Sequence, residues 1–257
     1  MSWNPEQYLK FAEPRLRPAL DLLSRIDRDD PRRVYDLGCG AGNVTKLLKA
    51  RWEDAAITGV DDSEAMLERA AAAVIDVTWQ RESLAHWAPT ADAPADVIYS
   101  NAALHWLPDH ATIFPRLFSR LAPGGVLAVQ MPRNFDAPSH TAITDTIMSG
   151  PWRARLELLL KPAPVAPPSF YYDLLAPMSA SLDIWECEYL QVLEGEDPVK
   201  EWTKGTWLKQ FLDALPTDAA AERFEAEYAE RLRKAYPKRS DGKTLFPFRR
   251  LFIIAKR

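Results

Sequence analysis

Three glycines, Gly38, Gly40 and Gly42, fall in the run Val34-Tyr35-Asp36-Leu37-Gly38-Cys39-Gly40-Ala41-Gly42-Asn43, an apolar stretch that ends in a bare turn and opens into a helical pattern. Positions without side chains let the chain turn sharply and let a ligand lie against the backbone. A tight strand-to-helix turn with no ligand has the same pattern. A second apolar run, Ile57-Thr58-Gly59-Val60-Asp61, ends in a carboxylate 23 positions after Gly38. A carboxylate there can accept both hydroxyl protons of a ribose, as nucleotide-binding sheets use it; an exposed turn aspartate is the alternative.

The spacing also bears on which nucleotide. A dinucleotide site calls for G-x-G-x-x-G, with a pyrophosphate on the helix N-terminus. Here the spacing is G-x-G-x-G, preceded by Asp36 at the strand's end. S-adenosylmethionine carries no phosphate but has an ammonium and a sulfonium, so an acidic strand end beside a glycine turn favours it and, with it, methyl transfer. A dehydrogenase remains the competing reading, and a cofactor-binding regulator that has lost the reaction is a third.

These residues need a scaffold that brings two strand ends together. From Val34 to about Met131 short apolar runs alternate with amphipathic stretches, the pattern of βαβ units around a parallel sheet. Strands are expected at Val34–Leu37, Ile57–Val60, Val97–Ser100 and Val126–Met131, with helices at Asn43–Arg51 and Ser63–Ala73. Ser63 reads as an N-cap, with Glu64 in the first turn. Pro123-Gly124-Gly125 reads as the stop after a helix. Beyond Met131 the texture changes: KPAPVAPPSF concentrates prolines, and Trp152, Tyr171, Tyr172, Trp185, Trp202 and Trp207 follow within a short span, so the stretch reads as an insertion. A helix is expected over Asp218–Tyr236 and a closing strand over Leu251–Ala255.

Composition narrows the classes. The 257 residues are 47% hydrophobic, enough to bury a full core, and the formal charge of −4 with scattered lysines and arginines offers no basic stripe for nucleic acid. No apolar run approaches the roughly 18 to 20 residues of a membrane span, and the start lacks a signal-like pattern, so the expected location is cytoplasmic. Two cysteines, Cys39 and Cys187, are too few for a disulfide framework and lack metal-ligand spacing. Cys39 reads as a space filler behind the turn. With no exposed apolar strand or heptad in the pattern, a monomer is expected.

Over roughly residues 30 to 131 the chain resembles the class I S-adenosylmethionine-dependent methyltransferases, in Asp36–Asn43, in Gly59-Val60-Asp61-Asp62-Ser63 and in Leu121–Leu127. Over nearly its whole length it is similar to the trans-aconitate 2-methyltransferase family: the opening W-N-P-x-x-Y-L, the run Asn101–His110, Gly125–Asn134, Tyr171–Leu175, Asp183–Trp185 and the closing Phe248–Arg257 carry that likeness. The resemblance implies a doubly wound, Rossmann-like α/β sheet, mostly parallel with an antiparallel C-terminal strand, plus an inserted helical and aromatic-rich substrate cap. It sets residues 1–131 as an N-terminal lid segment and cofactor-binding core, 132–244 as the cap, and 245–257 as the closing strand.

Carried over residue by residue, the resemblance puts Gly38, Gly40 and Gly42 along S-adenosylmethionine, Asp36 toward its methionine end with Asn101, and Asp61 with Asp62 at the ribose. At the adenine the family has an acidic residue where this chain reads Gln80-Arg81-Glu82-Ser83. Ser83 takes the acidic position, so adenine recognition passes to Glu82 or to backbone groups. Tyr8, after Trp3 and Asn4, is a candidate lid residue. No metal is implied.

The implied product is a monomethyl ester of trans-aconitate, with S-adenosylhomocysteine left behind; another small carboxylic acid or a malonyl thioester is the alternative acceptor. A carboxylate is already ionised at neutral pH and needs no general base, so no catalytic residue is assigned and positioning and electrostatics must do the work. An anionic tricarboxylate entering an acidic protein needs a local cation, and the planar fork of arginine suits a carboxylate. Arg250 matches the family's arginine, ahead of Arg249 and Lys204. His105 and Trp106 follow the strand Val97–Ser100, at the carboxyl end of the sheet where such folds bind ligands, and His105 either donates to the substrate or satisfies a backbone carbonyl. Trp106, Tyr171, Tyr172 and Trp202 are either core or water-excluding substrate contacts.

Overall fold

The computed structural model describes residues 12–257. After a helix at Ala12–Ser24, strands and helices alternate: β1 (Arg33–Leu37), helix Asn43–Arg51, β2 (Ala56–Asp61), helix Glu64–Ala73, β3 (Thr78–Arg81), β4 (Ala95–Asn101), helix His110–Ser119 and β5 (Leu121–Pro132). With β6 (Ser181–Leu193) and β7 (Thr244–Lys256) they form a seven-stranded sheet in the order β3-β2-β1-β4-β5-β7-β6. Pairs β1·β2, β2·β3, β1·β4 and β4·β5 are parallel, and β5·β7 is antiparallel. Valine, isoleucine and leucine dominate the central strands because helices cover both faces of a parallel sheet; Val34, Ile57, Val97 and Val129 are buried.

The chain runs outward from β1 through β2 to β3, then returns to β4 on the other side of β1. At such a reversal the loops after the two neighbouring strands leave in opposite directions and open a crevice at their carboxyl ends. The loops at this point are Gly38–Gly42 after β1 and the turn after Asn101 in β4.

Two local expectations are corrected. Ser63 holds the N-cap position of helix Glu64–Ala73, but its hydroxyl makes no capping bond. The polar group at this corner is Asp61, whose Oδ1 accepts from the Ser63 amide at 2.9 Å. Ser63→Ala is therefore expected to change stability by less than about 0.5 kcal/mol in chemical denaturation, against about 1 for loss of a working cap. Likewise, Pro123-Gly124-Gly125 does not end the preceding helix, which stops at Ser119. The triplet loops out of β5, where pairing with β4 jumps from Ala95↔Leu121 to Val97↔Val126. A Cβ on Gly125 would lie 2.8 Å from the Ala95 carbonyl oxygen, so no larger residue fits without movement.

Two structural units divide the chain. One contains Leu16–Pro132, Pro164–Cys187 and Arg250–Arg257, and holds both loops of the crevice. The other contains Arg133–Ala163 and Glu188–Arg249. Its core gathers Ile143, Trp152, Trp202, Phe211, Phe224, Tyr228 and Phe246, with the Tyr228 hydroxyl donating to the Ser139 carbonyl at 2.7 Å. Among the described residues no helix is long and apolar enough to cross a membrane.

Candidate active site

The turn after β1 is held to β2 by its own backbone: the amides of Gly38 and Cys39 both donate to the Val60 carbonyl, at 2.8 and 3.2 Å. Gly38 and Gly40 have φ of 71° and 53°, in the left-handed region that side chains disfavour. Their surroundings differ. A Cβ on Gly38 would lie 2.1 Å from the Ala103 Cβ in the turn after β4, so this glycine lets the two loops meet. A Cβ on Gly40 would meet nothing within 4 Å among the described residues, which leave the bare backbone open there. Gly42 is backed by Trp79 and Ala70.

Asp61 ties the two strand ends together. Its Oδ2 accepts from the Gly40 amide at 2.9 Å while Oδ1 holds the Ser63 amide. Burial pushes its carboxyl upward, and the Ser63 and Gly40 amides oppose the shift by favouring the anion. A carboxylate oxygen has two acceptor directions, so each retains capacity for a ligand hydroxyl.

Asp36 lies deeper, beneath the turn, and accepts from the Thr45 hydroxyl through Oδ2 at 2.6 Å. Burial drives its carboxyl up to about 7; the Thr45 hydroxyl opposes the rise and the Asp61 charge adds to it. Since the ordinary value is 3.8, the folded protein binds the extra proton between about pH 4 and 7, and stability falls as pH rises through that window. Asp36→Asn keeps an acceptor for Thr45 and removes the charge. It is expected to flatten a decline on the order of 4 kcal/mol, measured as unfolding free energy against pH without ligand. Cys39 is buried with its sulfur toward Gly59, and burial raises its thiol.

Asn101 closes β4, and its Oδ1 is buried without a hydrogen-bond partner among the described residues. Across β5 its register partner is Gln130. Arg250, buried on β7, donates through Nη1 to Gln130 Oε1 at 3.2 Å. The turn Leu104–Trp106 carries buried His105 and exposed Trp106, their rings 4.6 Å apart. His110 anchors this turn: its Nε2 faces the Leu104 carbonyl at 3.0 Å and its Nδ1 the Tyr171 hydroxyl at 2.7 Å. A carbonyl only accepts, so Nε2 carries the proton, and burial lowers the ring's pKa and favours this neutral form.

Thus Asp36, Gly38, Gly40, Gly42, Asp61 and Asn101 gather at one strand-end crevice, and Arg250 joins Gln130 on β5. Asp62, Glu82 and Ser83 sit exposed beyond β2 and β3. Tyr171 is fully buried, bonded to His110 and to the Ala166 amide, whereas Tyr172 is exposed. Trp202 lies in the other unit's core, Lys204 pairs with Glu225 at 2.7 Å, and Arg249 pairs with Asp136 at 2.8 Å. Tyr8, with Trp3 and Asn4, lies outside the described residues.

A family model described as a methyltransferase domain matches residues 34–125, the stretch that contains both crevice loops. Trans-aconitate 2-methyltransferase from Azoarcus sp. is 48% identical over 256 residues, covering 100% of this chain and 99% of that protein. The same-named protein from Variovorax paradoxus is 44% identical over 263 residues, covering 100% and 99%. The chain belongs to the trans-aconitate 2-methyltransferase family. In fold it is similar to a putative methyltransferase from Bacillus halodurans, with a TM-score of 0.58 at 12% identity over 93% of this chain and 98% of that one.

In this methyltransferase, sequence reasoning passed over Thr45, His110 and Gln130. A threonine one turn into the helix after the glycines, and a single glutamine inside Val126–Met131, were visible departures from apolar patterning. His110 gave no such signal, because its role depends on Tyr171, distant in sequence.

Proposed function

We propose that this protein transfers the methyl group of S-adenosylmethionine to a carboxylate of trans-aconitate, giving the monomethyl ester and S-adenosylhomocysteine. The observation that carries this reading is full-length similarity to relatives of that name, joined to a crevice whose polar groups suit the cofactor. Three features support it: among the described residues, the space left open over Gly40 and the Asn101 Oδ1 (an acceptor for an ammonium) left without a partner; and Asp61, whose remaining lone pairs suit two ribose hydroxyls. When bound, the cofactor supplies an electrophilic methyl on a sulfonium.

The chain's own task is binding and orientation. The acceptor carboxylate is ionised at neutral pH, so no side chain need remove a proton. Arg250 supplies the cation that holds the anion, and its burial makes that charge act through a low-dielectric surrounding. Placing two reactants in line converts a bimolecular encounter into a local one, which lowers the barrier alongside that electrostatic contribution. Asp62, Glu82, Ser83, Tyr8 and Trp106 complete the proposed binding set, while buried Tyr171 and Trp202 serve packing. We further propose a cytoplasmic monomer that uses neither metal, nucleic acid nor membrane; the net charge of −4 supports the exclusion of nucleic acid.

The test is incubation of purified protein with S-adenosylmethionine and, separately, trans-aconitate, cis-aconitate, citrate and a malonyl thioester, following S-adenosylhomocysteine release and product mass. Preferential esterification of trans-aconitate is expected. Turnover confined to another acid overturns the acceptor assignment alone, and failure to bind the cofactor overturns the reaction.

A further inference from the structure

Inside the apolar run Val126–Met131, Gln130 is fully buried. A leucine there would fill similar space without a polar group to satisfy, so the amide calls for partners. One is known. Gln130 lies opposite Phe252 on β7, and Arg250, two residues earlier on that strand, points to the same face and reaches Gln130 Oε1 at 3.2 Å. This contact fixes the amide's orientation, because a guanidinium has only donors and must meet the oxygen. The other end, Nε2, is therefore a donor, and it is buried with no hydrogen-bond partner among the described residues. The Asn101 Oδ1 on the adjacent strand is also unpartnered, so the two amides do not satisfy each other although their residues stand in register.

We propose that Gln130 recognises the acceptor together with Arg250: its Oε1 orients the guanidinium, and its Nε2 donates to the same carboxylate. This rests on the acceptor reading above. A donor without an acceptor beside a buried cation selects an anion with at least two oxygens. A carboxylate meets both the amide N–H and the neighbouring guanidinium more strongly than a neutral acceptor would, because hydrogen bonds to an ionised acceptor are the stronger ones. Gln130 thus makes the site specific for a carboxylate held at two points, and the contact to Arg250 makes the two donors act as one unit.

Gln130→Leu removes both ends of the amide. Gln130→Glu keeps its shape and an acceptor for Arg250, but loses the donor and neutralises the cation. Full-length wild type and both variants are loaded with S-adenosylhomocysteine and titrated with trans-aconitate by calorimetry; steady-state kinetics and thermal unfolding accompany the titrations. Loss of a hydrogen bond to a charged group predicts roughly 10- to 100-fold weaker trans-aconitate binding and a matching rise in KM for Gln130→Leu. The loss in Gln130→Glu is expected to be at least as large at pH 8. S-adenosylhomocysteine affinity stays within about twofold in both, because only the acceptor side is altered. Gln130→Glu should unfold no earlier than wild type, which separates recognition from packing and keeps the test valid if the leucine variant misfolds. Wild-type trans-aconitate affinity in Gln130→Glu overturns the proposal. A wild-type protein that neither binds nor methylates trans-aconitate overturns the acceptor reading and this assignment with it.

Discussion

Asp61→Asn is expected to weaken S-adenosylhomocysteine binding by about 100-fold or more while leaving a folded protein, because the carboxylate that holds the turn is also the group proposed to hold the ribose. Each of its oxygens accepts a backbone amide, Gly40 on one side and Ser63 on the other, both at 2.9 Å. An asparagine side chain can present only one oxygen. Its NH2 must then face one of those two N–H groups, donor against donor, and one amide loses its acceptor. The stability cost is expected to be about 2 kcal/mol, the range for a buried donor left unsatisfied. Ligand affinity falls further, since the Gly40 peptide shifts and an acceptor for the ribose hydroxyls disappears. Calorimetric titration beside denaturant unfolding separates the terms. An affinity loss no larger than the stability loss implies would show that Asp61 is purely structural.

The strand-end crevice was legible from sequence because its signals are local. Glycines at alternate positions after an apolar strand, and a carboxylate ending the next strand, are each set by one stretch of backbone. β1, β2 and β4 therefore lie where the apolar runs suggest, whereas β7 extends over Thr244–Lys256, well beyond the run Leu251–Ala255. β6 was missed: in Ser181–Leu193, Asp183, Glu186 and Glu188 break up the apolar residues. That charge marks a sheet edge, where outward side chains meet solvent and discourage further pairing. Short β3, Thr78–Arg81, lies at the opposite edge and carries too few apolar residues to stand out.

The residues proposed for the acceptor were harder to read because their contacts are non-local. Arg250 was named from a resemblance, but its partner Gln130 is 120 positions away and is found only when β7 is laid antiparallel to β5. Tyr171 shows the same limit: an aromatic-rich stretch does not reveal which ring is exposed, and Tyr171 is buried against His110 while Tyr172 faces solvent. Ser63 is the reverse case. A good capping residue stands at the right place, yet the Asp61 carboxylate two residues earlier has captured the corner.

Gly38→Ala and Gly40→Ala are expected to fail in opposite ways, although only Cys39 separates the two positions and both have positive φ. The left-handed backbone costs alanine roughly 1–2 kcal/mol at either position. At Gly38 the added methyl would fall 2.1 Å from the Ala103 Cβ, and 3.5 Å from its Cα, so the loops after β1 and β4 must part. Overpacking of this kind adds about 1–3 kcal/mol, which for a chain of this size corresponds to a total loss of roughly 5–15 °C in melting temperature. At Gly40 the methyl meets nothing within 4 Å among the described residues, so only the conformational cost applies and the melting temperature should fall by no more than about 6 °C. Its effect appears on binding: if the cofactor lies against this backbone, the methyl occupies ligand space and S-adenosylhomocysteine affinity should drop by about 30-fold or more. Melting curves with and without S-adenosylhomocysteine read both quantities. Gly40→Ala with intact ligand stabilisation would mean that the open space over the turn is not where the cofactor sits, while a Gly38→Ala protein as stable as wild type would mean that the two loops do not meet as closely as their backbones indicate.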